Sequence, residues 1–389
     1  TTAIVDKIIK LSDENNKVFV VTLTNKAIDN IHQKLLEKDG ELASKIHRFG
    51  SSHLQIDDSF SINTDYNDVN TATIELENKS IFLSTIHAAN SQLVKSLTRY
   101  DHVIIDEASQ INIPMSFIPF SLSSNISLIG DHFQLPPIFS EEVIDQNKDK
   151  KTFLSVFETL WDKGEGFIKD EDRVYLTHQY RMTEEIIAYP SKLFYDSKIT
   201  TDDSMEKNLE EFIDSFNDEW KKSEISEIID PRNPSVWAQI NSNDLNNNAR
   251  KNQDEADQCN KIINELLKSG IEASQIGVIS PFRLQVNTIK DGVFKSLGDD
   301  RPEILDILQI DTIDRFQGSQ NDVIIISLCT SDPENNFLVK DLRRFNVALT
   351  RPRFKRIILG DIQSFVSAEH ENNQKIAGII NDGFTKFFD

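Results

Sequence analysis

The sequence predicts an α/β protein of two domains, each built on a mainly parallel sheet. Three observations point there. The chain has 389 residues, 38% hydrophobic and 27% charged, which leaves room for two or three separate cores. Short apolar runs, among them KVFVVTLT at 17–24, SIFLSTIH at 80–87, VIIISLC at 323–329 and RIILGD at 356–361, alternate with stretches of helical period, as buried parallel strands do. One run, DHVIIDEASQ at 101–110, ends in Asp106-Glu107. In open parallel sheets the carboxyl edge of the strands is where ligands sit.

Taken in order, residues 2–12 place Ile4, Ile8 and Leu11 on one helical face. The strand at 17–24 leads into a helix at 25–38 with Ala27, Ile28, Ile31 and Leu35 on one side. Residues 41–79 are rich in Asp, Asn and Ser and read as an insertion, not a core element. Strands follow at 80–87, 102–105 and 125–131. The last closes on Gly130, whose missing Cβ permits close backbone approach, and on HFQLPP, where Pro136-Pro137 ends the element. Residues 155–161 form a short amphipathic helix. RVYLTHQYRM at 173–182 reads as a strand and a polar loop, with a helix at 183–194. The domain boundary falls near 172, giving domains 1–172 and 173–389. The acidic, proline-punctuated stretch 196–235 reads as an insertion on the second domain. Beyond it lie a helix at 253–268 stopped by Gly270, a strand at 276–280, a helix opening on Pro281, and strands at 304–309, 323–329 and 356–361.

Composition narrows the class. No apolar run approaches 18 residues, so no membrane span is expected. The opening TTAIVDKIIK has neither an initiator Met nor the build of a signal peptide. Cys259 and Cys329 are too few for a disulfide framework or a zinc site. The expected compartment is reducing and intracellular: cytoplasmic, or nuclear in a eukaryote. A formal net charge of −21 argues against coating a nucleic acid through bulk charge. It leaves room for a local basic channel, since 343–356 holds six Arg/Lys in 14 residues. There is no internal repeat and no low-complexity tail.

The chemistry concentrates at strand tips. Adjacent acids at the end of a buried strand can divide the work of phosphate chemistry. Asp106 would hold Mg²⁺, and Glu107 would orient and deprotonate an attacking water. The plainer reading is two acids opening a surface loop. Gln134 is placed to sense a γ-phosphate. Thr22, Thr24 and Asn25 precede a helix, where such side chains usually cap. Their functional alternative is contact with a phosphate backbone through these groups and the helix N-terminus.

The ordered motifs resemble the superfamily 1B helicases, AAA-type P-loop NTPases, in the branch that contains the nonsense-mediated-decay RNA helicase. TLTNKAIDNI looks like the family's first strand-contacting motif, DEASQ like its Walker B motif, and GDHFQLPP like the coupling motif that follows. HQYRM, ISPFRLQV, DTIDRFQGSQNDVIII and RRFNVALTRPR look like the motifs of the second domain. Each is a weak signal alone; the ordered set is specific. The resemblance implies two RecA-like domains that hydrolyse ATP with Mg²⁺ between them. It implies a monomeric motor stepping 5′→3′ on single-stranded DNA or RNA. It puts Arg181 and Arg351 on the γ-phosphate, Tyr180 on the base, and Gln179, Gly318 and Gln320 beside the nucleotide, Gln320 standing where the family usually has Glu. Pro352 stands where Ala is usual. Thr24, Asn25, Ser84 and Thr85 fall on the strand from the first domain, with Pro281, Phe282, Thr312 and Gln317 from the second.

The P-loop signature GxxxxGK[ST] is nowhere in the sequence. The resemblance places the start of the chain directly after the Walker lysine, with Thr1 as the Mg²⁺-ligating threonine and Thr2 beside the nucleotide. The first domain then lacks its opening strand and P-loop, the parent carries further domains, and this chain alone hydrolyses ATP poorly. A second reading is an ATPase-inactive nucleic-acid-binding or scaffold protein on the same fold. A small-molecule kinase or a GTPase fits less well, having no need of a second α/β domain with its own arginines.

Overall fold

The computed structural model describes residues 2–389 apart from 51–71, 75, 92–93, 96–98, 139–153, 164–167, 241–249, 299, 330–340, 368–370, 379–384 and 388–389. Two units divide the chain, Thr1–Arg173 and Val174–Asp389.

The first unit carries β1 (Val18–Thr22), β2 (Ile46–Phe49), β3 (Ile81–Thr85), β4 (His102–Ile105) and β5 (Ile126–Leu128). They form one parallel sheet in the order β2-β3-β1-β4-β5. Alternate residues feed two cores, since side chains along a strand point to opposite faces. Val18, Val20 and Ile104 pack with Ile4, Ile8, Ile28 and Ile31 of the helices Thr2–Asp13 and Asn25–Lys38. Phe19, Val21, Val103 and Ile105 pack on the other face with Ile86, Ile111 and Val156. Cover on both faces is why the strands read as unbroken apolar runs.

The second unit opens with a two-residue pair, β6 (His178–Gln179) beside β7 (Thr200–Thr201). Its main sheet holds β8 (Ser235–Gln239), β9 (Ile276–Ser280), β10 (Gln309–Thr312), β11 (Asn321–Ser327), β12 (Pro352–Gly360) and β13 (Thr385–Phe387), in the order β10-β9-β11-β12-β8-β13. Every pairing is parallel. The α/β class and the mainly parallel sheets are therefore as the sequence predicts.

Several elements differ. The stretch 41–79 is not insertion alone: it holds β2, whose four residues are all buried. The stretch 196–235 holds the helices Ser204–Asp214 and Ser226–Ile229, which put Met205, Phe212, Ile228 and Ile229 into the main core of the unit. Its acids sit on the outer faces of these amphipathic helices, and composition hid the inner faces. RVYLT forms no core strand: Val174, Tyr175 and Leu176 are exposed. Residues Ile304–Ile307 are a helical turn, and the strand begins only at Gln309. A four-residue apolar run fits either state, and contact with neighbours decides between them. The helix expected from Pro281 spans Arg283–Leu297, with Phe282 at its N-cap.

Candidate functional site

In the first unit the predicted residues share the carboxyl edge of the sheet. The register sets Thr22 against Thr85 and Val21 against Ile105, so the segments after β1, β3 and β4 leave side by side. Asp106 and Glu107 follow β4 directly and are partly buried. Glu107 has left-handed backbone, φ 52° and ψ 38°, and opens the turn Ala108–Gln110. That conformation costs a non-glycine residue about 1 kcal/mol and clusters at functional positions. Its N–H donates to Asp106 Oδ1 at 2.9 Å, and Gln110 Nε2 donates to Glu107 Oε2 at 3.2 Å. Burial, with the nearby Glu107 carboxylate, raises the Asp106 carboxyl from 3.8 to about 6. Two crowded carboxyls, one with its second oxygen clear of that bond, are a donor set a divalent cation would relieve. Among the described residues no group of three or more His, Cys, Asp or Glu is gathered as a metal centre would need.

Gly130 does what its type suggests. A Cβ there would lie 2.8 Å from Ser109 N and 3.3 Å from Ala108 N, so the loop after β5 touches the turn after β4 backbone to backbone. Gln134 on that loop is held by Asp131: its Nε2 donates to Asp131 Oδ2 at 2.8 Å.

Thr24 caps the helix Asn25–Lys38, its Oγ1 accepting from Ala27 N at 3.2 Å. Thr22 lies behind it, fully buried, donating to Thr24 O at 2.8 Å. Thr85 caps the turn Ile86–Ala89. Ser84 is fully buried and donates to Thr85 O at 2.9 Å, so it supports the edge and does not face outward. Asn25 is exposed, and its Oδ1 accepts from Arg48 Nη2 at 3.2 Å. Thr2 is exposed at the start of its helix, and Thr1 lies outside the described residues.

In the second unit the predicted residues part into two groups. Pro281, Phe282 and Thr312 sit at the carboxyl edge, where Thr312 pairs with Ser280. Pro281 is buried and Phe282 partly so. The remainder gather near the amino end of β12. Arg351 is 2% exposed, with Nε on Val347 O at 2.9 Å, Nη2 on Thr350 Oγ1 at 3.0 Å and Nη1 on Ser319 O at 3.5 Å. The turn of Gln317, Gly318 and Gln320 ends where Asn321 N meets Arg351 O at 3.4 Å. Gly318 has φ 77°, and both it and Gln320 are exposed. Arg181 Nη1 reaches Thr350 O at 3.4 Å. Gln317 thus lies with the expected nucleotide residues, away from Thr312.

Gln179 is expected at the nucleotide, but its amide is engaged by its own turn and by β7. Oε1 accepts from Arg181 N and Met182 N, both at 2.8 Å, while Nε2 donates to Met182 O and Thr201 Oγ1, both at 2.7 Å. It shapes the turn that presents Tyr180, which is 61% exposed with the His178 ring edge-on at 4.9 Å.

The basic stretch 343–356 is not a channel. Arg343 and Arg344 pair with Asp341, and Arg353 with Asp322. Arg351, Lys355 and Arg356 are buried, with Lys355 Nζ on Asp230 O and Asn233 O at 2.8 and 2.7 Å. Burial lowers the Lys355 amine to about 7. Charge density along the chain could not show that these cations face inward.

A family model described as an AAA domain matches residues 153–363, more than half of the chain, and another of the same description matches 59–142. The chain belongs to the AAA-domain family of superfamily 1 helicases. This AAA-domain chain is similar to a DNA replication ATP-dependent helicase/nuclease of Saccharomyces cerevisiae, 29% identical over 96% of the chain and 25% of that protein. It is also similar to a DNA polymerase alpha-associated DNA helicase A of the same organism, 32% identical over 73% of the chain and 42% of that protein. It thus spans a quarter to about two fifths of the length of these relatives. A solved arterivirus nonstructural protein 10 (helicase) with DNA aligns at 12% identity and a TM-score of 0.46, over 92% of this chain and 57% of that one. No helix among the described residues is long and apolar enough to cross a membrane.

Proposed function

We propose that the chain is the motor part of an ATP-dependent helicase or translocase that steps 5′→3′ on single-stranded nucleic acid. The observation that carries this is the tip of β4: two carboxyls at the carboxyl edge of a parallel sheet, Glu107 held in left-handed backbone, and the Gly130 loop packed against it. Phosphoryl transfer needs positioning and charge neutralisation more than covalent chemistry. Glu107 orients the attacking water and takes its proton. Asp106 would hold Mg²⁺, which when bound neutralises phosphate charge; Thr1 is the other expected ligand. Gln134, fixed by Asp131, senses the γ-phosphate and passes its state to the β4 turn through the backbone contact at Gly130. Arg181 and Arg351 are assigned to the γ-phosphate charge. Because Arg351 is buried on carbonyl oxygens, its role requires a change of rotamer or local opening. Tyr180 stacks on the base, held out by the Gln179 turn. Thr24, Asn25 and Thr85 hold the strand from the first unit; Phe282 and Thr312 do so from the second.

The test is steady-state ATP hydrolysis with and without single-stranded DNA and RNA. It is run on this chain and on a version carrying a GxxxxGK[ST] segment ahead of Thr2. The longer protein should be stimulated at least tenfold by strand, and Glu107→Gln should abolish turnover while leaving nucleotide binding intact. A longer protein that binds strand but stays silent would replace the motor with the scaffold reading.

A further inference from the structure

We propose that Arg48 is a positioning residue that fixes the amide of Asn25 with its N–H₂ group outward, so that Asn25 meets backbone phosphates and not bases. The inference rests on the proposed strand-binding role of Asn25. Arg48 lies near the end of the edge strand β2 and is 3% exposed. Its Nη1 pairs with Asp29, one helical turn beyond Asn25. Its Nη2 donates to Asn25 Oδ1 at 3.2 Å.

The chemistry of the pair is one-directional. A guanidinium has only donors, so the atom of the amide that faces it is the oxygen. An asparagine left to itself presents either a donor or an acceptor. Here the fork of Arg48, held at its other prong by Asp29, removes that choice. Asn25 donates through Nδ2 to no other group among the described residues, and it stands at the first position of the helix Asn25–Lys38, where free backbone N–H groups already favour anions. The N–H₂ donor of Asn25 is therefore the group turned outward. It suits the acceptor oxygens of a phosphodiester, and the free N–H groups of the helix N-terminus beside it favour that anion over a neutral base edge. Through this residue DNA and RNA look alike.

The experiment is fluorescence anisotropy of a labelled dT oligonucleotide and its rU counterpart against the wild-type chain, Asn25→Asp, Asn25→Ala and Arg48→Lys, with melting temperatures recorded in parallel. Asn25→Asp is the decisive variant, because a carboxylate pairs with Arg48 better than an amide does. Its melting temperature should hold or rise, while its affinity for both strands falls at least tenfold. The loss should persist at 300 mM salt, where simple repulsion is largely screened. Asn25→Ala should weaken binding about threefold. Arg48→Lys keeps the charge but cannot hold both partners, and should weaken binding two- to fivefold with little change in melting. If Asn25→Asp binds as the wild type does, the positioning role is wrong and the strand-binding reading survives. If the wild type binds neither strand, both fall together.

Discussion

At the scale of single residues, the environment of Asp106 sets a pH dependence. Its carboxyl rises from 3.8 to about 6, so the folded state holds the proton more tightly than the unfolded chain. The protonated form therefore favours the fold at low pH, and this contribution is lost as pH rises through about 6. A shift of this size is ~3 kcal/mol if fully expressed, and partial solvent access reduces it to about 1–2 kcal/mol. Asp106→Asn should raise the melting temperature by about 2–4 °C at pH 7.5 and by about a third as much at pH 4.5, because the loss begins above the unfolded value of 3.8. Differential scanning at both values checks this, and a variant less stable than wild type at pH 7.5 would refute it. The chemical identity of Asp106, Glu107, Gly130 and Tyr180 is legible in the sequence because each follows an unmistakable strand or sits in an ordered motif. What Gln179, Ser84 and Arg351 do is not. Gln179 and Arg351 reach partners 22 and 32 residues away, and Ser84 turns to its neighbour's carbonyl only because folding buries it.

At the scale of elements, a buried polar knot ties three pieces of the second unit. Glu255, fully buried on the helix Gln253–Lys268, accepts from Ser327 Oγ at 2.6 Å and from Cys329 N at 2.8 Å. Gln285, in the first turn of Arg283–Leu297, donates to Ser327 Oγ at 3.1 Å and to Asn252 O at 2.8 Å. Cys329 has φ 56°, a backbone state that needs such a hold. Glu255→Ala removes the acceptor of Ser327 Oγ, Cys329 N and Asn252 Nδ2 and should lower the unfolding free energy by about 2–4 kcal/mol. Urea titration measures it, and a loss under 1 kcal/mol would show that the knot does not stabilise the unit. The long runs at β1, β3, β4, β9 and β11 are readable because both of their faces are covered. The strands β2 and β8 escape notice for a different reason. IHRF has two polar residues in four, and SVWAQ follows a Pro-Arg-Asn-Pro turn; each becomes a strand through the neighbour it pairs with. RVYLT shows the converse: its composition is strand-like, yet Val174, Tyr175 and Leu176 stay exposed and it joins no core sheet among the described residues.

At the scale of the molecule, a chain of net charge −21 is proposed to hold a polyanion. Its densest cationic stretch is turned inward or paired, as is Arg48. The strand is then held by amides, hydroxyls and backbone N–H groups, few of which displace counterions. The slope of log Kobs against log salt should lie between about −1 and −3 from 50 to 300 mM, measured by the same anisotropy titration. A slope steeper than about −5 would mean an exposed basic groove. The second sheet has a mechanical consequence as well. Every strand runs the same way, with Arg351 and Gly318 near one end and Thr312 and Phe282 at the other. The four β9–β11 register pairs between those ends span about 10 Å at roughly 3.3 Å per residue. Their side chains are almost all buried, and slipping by one residue would turn the core face outward. The sheet can neither stretch nor slide, so a displacement applied at the arginine end must emerge at the threonine end undiminished: the unit works as a push rod, not a spring.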